Sequence, residues 1–305
     1  MSGDALEAAL ARADVMVCVM ARVTARLAPR PDLVGGATPL SHLAGALARA
    51  VYAPDLPVLA SQGRLGRAPL GWLGQEDSAL LAEGSGRVGM DLPEIFAYVT
   101  SGRFAIWIGP AQIDRLGNTN ISRIGPAQRP RPALVGSRGL PDDSVSLPAG
   151  LYYTTQHGPR TVVERVDFVS GVGDRQRLPD GSRVHGRPAY LASDLGLFDF
   201  AGRDGAMRVV ALMPGVTLEV VRAATPFDLE AVADLPAVVA PSHEERAALA
   251  ELDPLGVRAI ECLRDAEAAA ALRARLRAEE EAALAPRASA FLASLGLAQT
   301  GAWAQ

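Results

Sequence analysis

The chain has 305 residues, enough for one large α/β domain or two modest ones with a sizeable core. Hydrophobic residues make up 49% and charged residues 21%, which argues against disorder, and no apolar run reaches the ~18 residues of a membrane span. A net charge of −4 gives no basis for a nucleic-acid partner, and all 30 basic residues are arginine, which excludes a Schiff-base lysine and a phosphate-loop lysine.

The N-terminal run MSGDALEAAL lacks the basic start and apolar core of a secretory signal, so a cytoplasmic location is expected, with no membrane partner. Residues 4–28 contain neither Gly nor Pro and read as mainly helix. PDLVGGATPLSHLAGALARAVYAPD, 31–55, reads as a short strand, a Gly-containing turn and an Ala/Leu-rich helix. A helix start just after a strand presents free N–H groups to a ligand. LPVLA, 56–60, is a second strand running into the Gly-rich loop SQGRLGRAPLG. GSGRVG, 84–89, formally matches a dinucleotide-binding loop, but a helix-like ALLAE precedes it instead of a strand, so that reading is set aside.

FAIWIG, 104–109, is a third strand. It opens into GPAQIDRLGNTNISRIG, 109–125, which is polar and rich in Gly and Asn, as the carboxyl end of a buried strand is. Ligands of open α/β sheets bind at such ends. Residues 125–150 read as ordered loops, RTVVERVDFVS (160–170) as a strand, and RLPDGSRV (177–184) as a turn closing a hairpin. YLASDLGLFDF (190–200) and MRVVALMPGV (207–216) read as two strands hinged at AGRDG. SHEERAALAEL, 242–252, reads as a helix capped by Ser242. From 261 to 287 the chain is dominated by strong helix formers, with Leu272 and Leu276 as a narrow apolar stripe. That helix is either docked on the domain or an oligomer contact.

The two cysteines, Cys18 and Cys262, lie outside any metal or redox spacing and read as buried free thiols. The four histidines show no ligand spacing, so no metal site is expected. His42 reads as packed, and His157 as a strand-end residue without a catalytic role.

Eight segments, in order, carry a family resemblance: AVYAPD (50–55), IGPAQIDRLGNTNIS (108–122), VGSRG (135–139), TTQHGPR (154–160), RVDFVSGVG (165–173), DLGLFDF (194–200), PGVTLEVVRAATPFDL (214–229) and ELDPLG (251–256). Together they resemble the β subunits of the family I CoA-transferases, of the glutaconate CoA-transferase type, and come nearer still to the branch of CoA-dependent hydrolases that open a steroid ring. The resemblance covers about 30–256. It implies an α/β fold with an open, mostly parallel sheet and flanking helices over 1–256, followed by a helical C-terminal extension over 257–305. It also implies an α-type partner subunit or self-association, a coenzyme A thioester as substrate and no tightly bound cofactor.

In the family, a glutamate carboxylate attacks the acyl-CoA to give an anhydride and then an enzyme thioester, while backbone N–H groups stabilise the oxyanion. Laid over this chain without gaps, VYAPDLPVLASQG puts Ser61, Gln62 and Gly63 at the glutamate turn, so the anionic nucleophile is absent. Ser61 would need a general base to attack, and no histidine stands beside it. The acids that follow, Glu76 and Asp77, are too far along to replace it without a special loop path. The oxyanion-type loop is Gly136-Ser137-Arg138-Gly139, in which Arg138 enters a glycine-rich setting and is the candidate for holding a carboxylate or an enolate oxygen. Candidate substrate or CoA contacts are Gly35, Gly36, Thr38, Gln62, Gly63, Gln112, Asn118, Asn120, Gly136, Ser137 and Gly139. Asn118 and Asn120 have a second role open to them, holding the turn. Hydrolysis of an acyl-CoA, or of a ring carbon–carbon bond beside it, is the expected activity. The alternatives are conventional CoA transfer between carboxylic acids and a non-catalytic homologue that binds an acyl-CoA or a partner subunit.

Overall fold

The first helix is a stripe of small and apolar residues. α1 (Ser2–Ala25) buries Ala9, Ala13, Val17 and Ala21 at i,i+4 spacing, with Met16, Met20 and Thr24 beside them. The structure, a computed structural model, describes residues 2–27, 31–60, 64–65, 88–173 and 186–294. The turn at Ser61–Gly63, the acids Glu76 and Asp77, most of the run 84–89 and the hairpin expected over 177–184 lie outside the described residues.

After α1 come β1 (Leu33–Gly36), α2 (Pro39–Leu47), a π-helical turn (Ala48–Tyr52) and β2 (Val58–Ala60). β3 (Arg64–Leu65), β4 (Val88–Gly89), α3 (Leu92–Thr100), β5 (Phe104–Ile108), β6 (Gln112–Asp114) and β7 (Thr119–Asn120) follow. The chain continues through α4 (Leu140–Ser146), β8 (Gly150–Thr154), β9 (Val162–Val163), β10 (Pro188–Ser193), β11 (Gly196–Asp199), β12 (Arg208–Leu212), α5 (Leu218–Ala224) and β13 (Glu230–Ala231). It closes with α6 (His243–Leu252), α7 (Ala259–Cys262) and α8 (Ala266–Ser294).

Among the described residues the main sheet has the order β13-β12-β11-β10-β8-β5-β1-β2-β3-β4. Its centre, β10-β8-β5-β1-β2, is parallel throughout, as the resemblance implied. β6, β7 and β9 form a separate three-stranded sheet. Alternation along β8 sorts the layers: Leu151 and Tyr153 join the core under α1 and α2, whereas Tyr152 joins the core on the opposite face with Ile113, Phe198 and Val209. Trp107 belongs to the first layer, where its indole N–H donates to Thr24 Oγ1 at 2.9 Å and ties β5 to α1.

The chain goes from β1 to β2 on one side and then crosses to build β5, β8 and β10 on the other. The direction of winding therefore reverses between β1 and β5, which makes the carboxyl ends of those strands the crevice where such sheets take ligands. Gly36 lets α2 pack there, and Gly35 makes room for the Phe104 ring of β5. A Cβ on Gly36 would stand 2.3 Å from His42 Cα, and one on Gly35 would stand 2.3 Å from Phe104 Cζ. His42 is buried against Gly36, as a packed residue is.

Three expectations need correction. Seven residues of the expected loop 125–150 form α4, because Pro141 sits where its missing N–H costs nothing and Asp142 and Asp143 complement the helix start. Of 160–170 only Val162–Val163 pairs, because Asp167 turns aside to accept hydrogen bonds from Gln112 and Gly125. The run 190–200 is two antiparallel strands, β10 and β11, reversed where Ser193 Oγ accepts from the amides of Leu195 (3.1 Å) and Gly196 (3.2 Å).

α6 begins with the expected cap: Ser242 and Glu245 exchange backbone bonds reciprocally. Residues Val257, Ala259, Cys262, Leu263, Ala268, Ala269, Leu272 and Leu276 then enter the same core as α1 and α2. Both cysteines are buried free thiols pushed up to about 12 by burial, so both stay protonated.

Candidate functional site

Thr38 begins the site. Its extended backbone (φ −144°, ψ 165°) makes it the N-cap of α2, and its Oγ1 accepts from Ser41 N. The same hydroxyl lies 2.6 Å from the Tyr153 hydroxyl at the end of β8. Tyr153 donates in turn to Glu261 Oε2 at 2.6 Å, and Glu261 Oε1 accepts from Leu40 N at 2.9 Å. Gly109, where β5 ends, makes room for this arrangement: a Cβ there would stand 3.0 Å from Tyr153 Cζ and 3.1 Å from its hydroxyl. The segment after β1 and the end of β8 are thus joined through one glutamate carried on α7, beside the end of β5.

Burial raises the Glu261 carboxyl above the ordinary glutamate range, against hydrogen bonds from Tyr153, Leu40 N and Thr38 that pull it down. Burial and the neighbouring Glu261 charge hold the Tyr153 phenol well above its usual value, so it is protonated at neutral pH. Residue-type patterns do not single out Glu261. It stands in a helix-forming tail between Ile260 and Cys262, and its only sequence signal is an acid set among apolar neighbours.

The second part of the site is the lobe built on the small sheet. Asp114 Oδ1 accepts from the amides of Leu116 and Asn118, both at 3.0 Å, and both Asp114 oxygens accept from the Asn118 amide group. Asn118 Oδ1 accepts from Gly173 N. Asn120 Nδ2 donates to Gln112 Oε1 (2.8 Å) and Arg123 O (2.7 Å), and Asn120 Oδ1 accepts from Ser122 N and Arg123 N. Gln112 Nε2 donates to Asp167 Oδ2, and Gln112 Oε1 also accepts from Asp167 N. Gln112 and Asn120 are buried, and their polar atoms are engaged within the chain.

The lobe holds the Arg138 loop through hydroxyls. Ser122 Oγ lies 3.0 Å from Ser137 Oγ and 2.8 Å from Ser170 Oγ. Gly136 has φ +85°, Arg138 φ +49°, and Gly139 starts α4 against the Phe96 ring. A left-handed arginine costs about 1 kcal/mol, a strain of the kind found at working sites. Over residues 109–139 the chain carries five arginines and one acid, Asp114. Arg115, Arg129, Arg131 and Arg138 are exposed and make no ion pair among the described residues.

The structure thus brings Thr38 together with Tyr153 and Glu261, leaves Gly35 and Gly36 packed on Phe104 and His42 at the end of β1, and separately brings Gln112, Asn118, Asn120, Gly136, Ser137, Arg138 and Gly139 into the lobe. Ser61, Gln62 and Gly63 follow β2 directly but lie outside the described residues. His157 is tied at both ring nitrogens, to Ser193 Oγ (3.1 Å) and Thr225 Oγ1 (3.0 Å), and burial lowers it to about 4, so it is neutral and structural. No cluster of three or more metal-ligating side chains occurs among the described residues, and no described helix is long and apolar enough to cross a membrane.

No protein-family model matches the chain. It is 37% identical over 177 residues to the cholesterol ring-cleaving hydrolase IpdB subunit of Rhodococcus jostii, covering 55% of this chain and 67% of that one. It is 30% identical over 220 residues to the B-type subunit of the 3-oxoadipate CoA-transferase of Pseudomonas knackmussii, covering 70% of this chain and 84% of that one. Among solved structures, Rhodococcus jostii IpdAB superposes with a TM-score of 0.69 at 29% identity, over 82% of this chain and 97% of the other.

Proposed function

We propose a function from one premise: the chain belongs to the CoA-transferase family, on the side of its β subunits. It acts on acyl-CoA thioesters as the β-type member of a two-subunit enzyme, with an α-type partner. It adds water, either to the thioester or to a ring ketone beside it, and does not pass CoA between carboxylic acids. The observation that carries this reading is the residue after β2. The family mechanism needs a carboxylate there, and this chain has Ser61. The higher identity to the ring-cleaving hydrolase subunit, 37% against 30% for the transferase subunit, points the same way.

The chemistry follows from the groups present. Addition of hydroxide to a β-ketone lets the carbon–carbon bond break, and its electron pair moves onto the thioester as an enolate that is then protonated. Arg138, held beside Gly136 and Gly139 and free of ion pairs among the described residues, offsets the enolate oxygen or binds a substrate carboxylate. The exposed Arg115, Arg129 and Arg131 give the lobe a field suited to the phosphates of CoA. Gln112, Asn118 and Asn120 frame this lobe, and Gly35, Gly36 and Thr38 shape the crevice. By sequence alignment alone, Ser61, Gln62 and Gly63 stand at the positions of the glutamate turn in the transferases.

The test uses the chain co-expressed with an α-type homologue and a panel of acyl-CoA and cyclic β-keto acyl-CoA thioesters, with and without acetate or succinate. Free CoA thiol, or a CoA ester that has gained one water, formed without any acceptor, is the expected result. Acceptor-CoA formed with no hydrolysis makes the complex a transferase. Tight binding of the esters with no turnover makes the chain a non-catalytic homologue.

A further inference from the structure

The line Thr38–Tyr153–Glu261 has a direction, and that direction depends on one proton. Leu40 N donates to Glu261 Oε1 in either state, so a proton taken up by the carboxyl goes to Oε2. Tyr153 has one proton. While Glu261 is charged, Tyr153 donates to Oε2 and Thr38 turns its one proton inward, to Tyr153 or to the carboxylate itself, which leaves Thr38 no proton for the crevice. Once Oε2 carries a proton, the order runs backwards. Glu261 donates to Tyr153, Tyr153 donates to Thr38, and the lone pairs of Thr38 are filled by Tyr153 and Ser41 N. The Thr38 proton is then available to the crevice.

We propose that Glu261, Tyr153 and Thr38 form a proton-gated hydrogen-bond wire, in which one proton taken up at Glu261 turns Thr38 from an acceptor into a donor for a carbonyl or oxyanion bound at the ends of β1, β5 and β8. Glu261 and Tyr153 are positioning residues here; Thr38 meets the ligand. The wire deepens the acyl-CoA reading and rests on it, because a thioester carbonyl is an acceptor that Thr38 can hold only in the proton-bearing state. Burial already biases Glu261 towards that state. The titratable and charged groups around it are Tyr153 from β8, Cys262 beside it on α7, and, grouped about Cys262, Arg12 from α1 with Asp194 and Arg264. Arg12 Nη2 is fixed on Cys262 O at 3.0 Å, and Arg264 pairs with Asp194.

Glu261→Gln is a directional mimic. Its carbonyl must accept from Leu40 N, so its amide N–H₂ faces Tyr153 and locks the wire in the donor direction. Calorimetry of the two-subunit complex with the ketone analogue of acetyl-CoA, in which a methylene replaces the sulfur, reads proton uptake directly when run in buffers of different ionisation heat. The wild-type complex takes up as much as one proton per ligand bound, and its affinity falls by about tenfold per pH unit above the Glu261 pKa. Glu261→Gln binds without that uptake and without that pH dependence, and Tyr153→Phe loses the uptake and binds more weakly. Binding in the wild type without proton uptake at any pH across the titration, or uptake that persists in Glu261→Gln, overturns the wire. Absence of any binding rejects the acyl-CoA reading instead. The wire is then decided by the infrared carboxyl band lost in Glu261→Gln: a band titrating above the ordinary glutamate range and shifted by Tyr153→Phe sustains it, and one titrating in the ordinary range removes it.

Discussion

The crevice and the lobe are both polar, yet they use polarity in opposite ways. In the lobe, Gln112, Asp114, Asn118 and Asn120 lie within one short reach of chain and, with Asp167 brought in from further along, engage one another and the nearby backbone. Such a network fixes a shape and leaves little over for a ligand. In the crevice, Thr38, Tyr153 and Glu261 come from three distant segments, and their bonds form a line that can run either way. A saturated network makes a scaffold, whereas a line with one movable proton makes a responsive site.

Four substitutions break or sharpen that contrast. Gly36→Ala has the largest effect, about 3 kcal/mol of lost stability, because its Cβ meets the α2 backbone at His42, which cannot swing aside. A denaturant midpoint within error of wild type would show that α2 can shift on β1. Asn120→Ala follows, at about 2–3 kcal/mol, since it orphans the amides of Ser122 and Arg123 and removes the donor to Gln112. A loss below about 1 kcal/mol would mean that the lobe is not the saturated network described. Arg138→Gly is expected to raise stability by about 1 kcal/mol by relieving the left-handed backbone, while turnover in the two-subunit complex falls by orders of magnitude. Unchanged turnover removes Arg138 from the chemistry, whatever the melting temperature does.

The smallest effect is a pH slope. Burial, with the Asp142 charge beside it, pushes the Asp143 carboxyl up to about 6. A raised carboxyl stabilises the fold below its unfolded value near pH 4, and that contribution is lost as pH rises through about 6. Asp143→Asn should therefore gain on wild type as pH climbs from 4 to 7, read as a widening difference in melting temperature. Parallel curves would mean that Asp143 ionises as an ordinary carboxylate.

Local chemistry explains which parts were readable from the chain. α1 is free of Gly and Pro after Gly3, β5 is a bare apolar run, and α6 announces itself through Ser242 and Glu245, so each is encoded within its own span. The strand end at Gly109 was legible because Gly and Asn mark a sharp backbone feature, whereas the Arg138 loop was picked out through the family resemblance. α4 was hidden by its two-sided signal, a proline and serines that also suit loops. Splitting 190–200 into β10 and β11 depends on Ser193 Oγ reversing the chain, which no alternation pattern reports. Glu261 lies 108 residues from Tyr153 and 221 from Leu40, so its role exists only once the sheet has brought those segments together.

The placement of Glu261 also has a genetic side. The stretch that carries it, Val257–Leu276, supplies eight buried residues to the core beneath α1 and α2. A stop codon just after Gly256 would therefore remove a wall of the core and the proton-bearing carboxylate in a single event. Truncation cannot separate the two, whereas a point substitution such as Glu261→Gln can. Length variation is thus not expected to be tolerated within Val257–Leu276, the stretch that joins fold to chemistry.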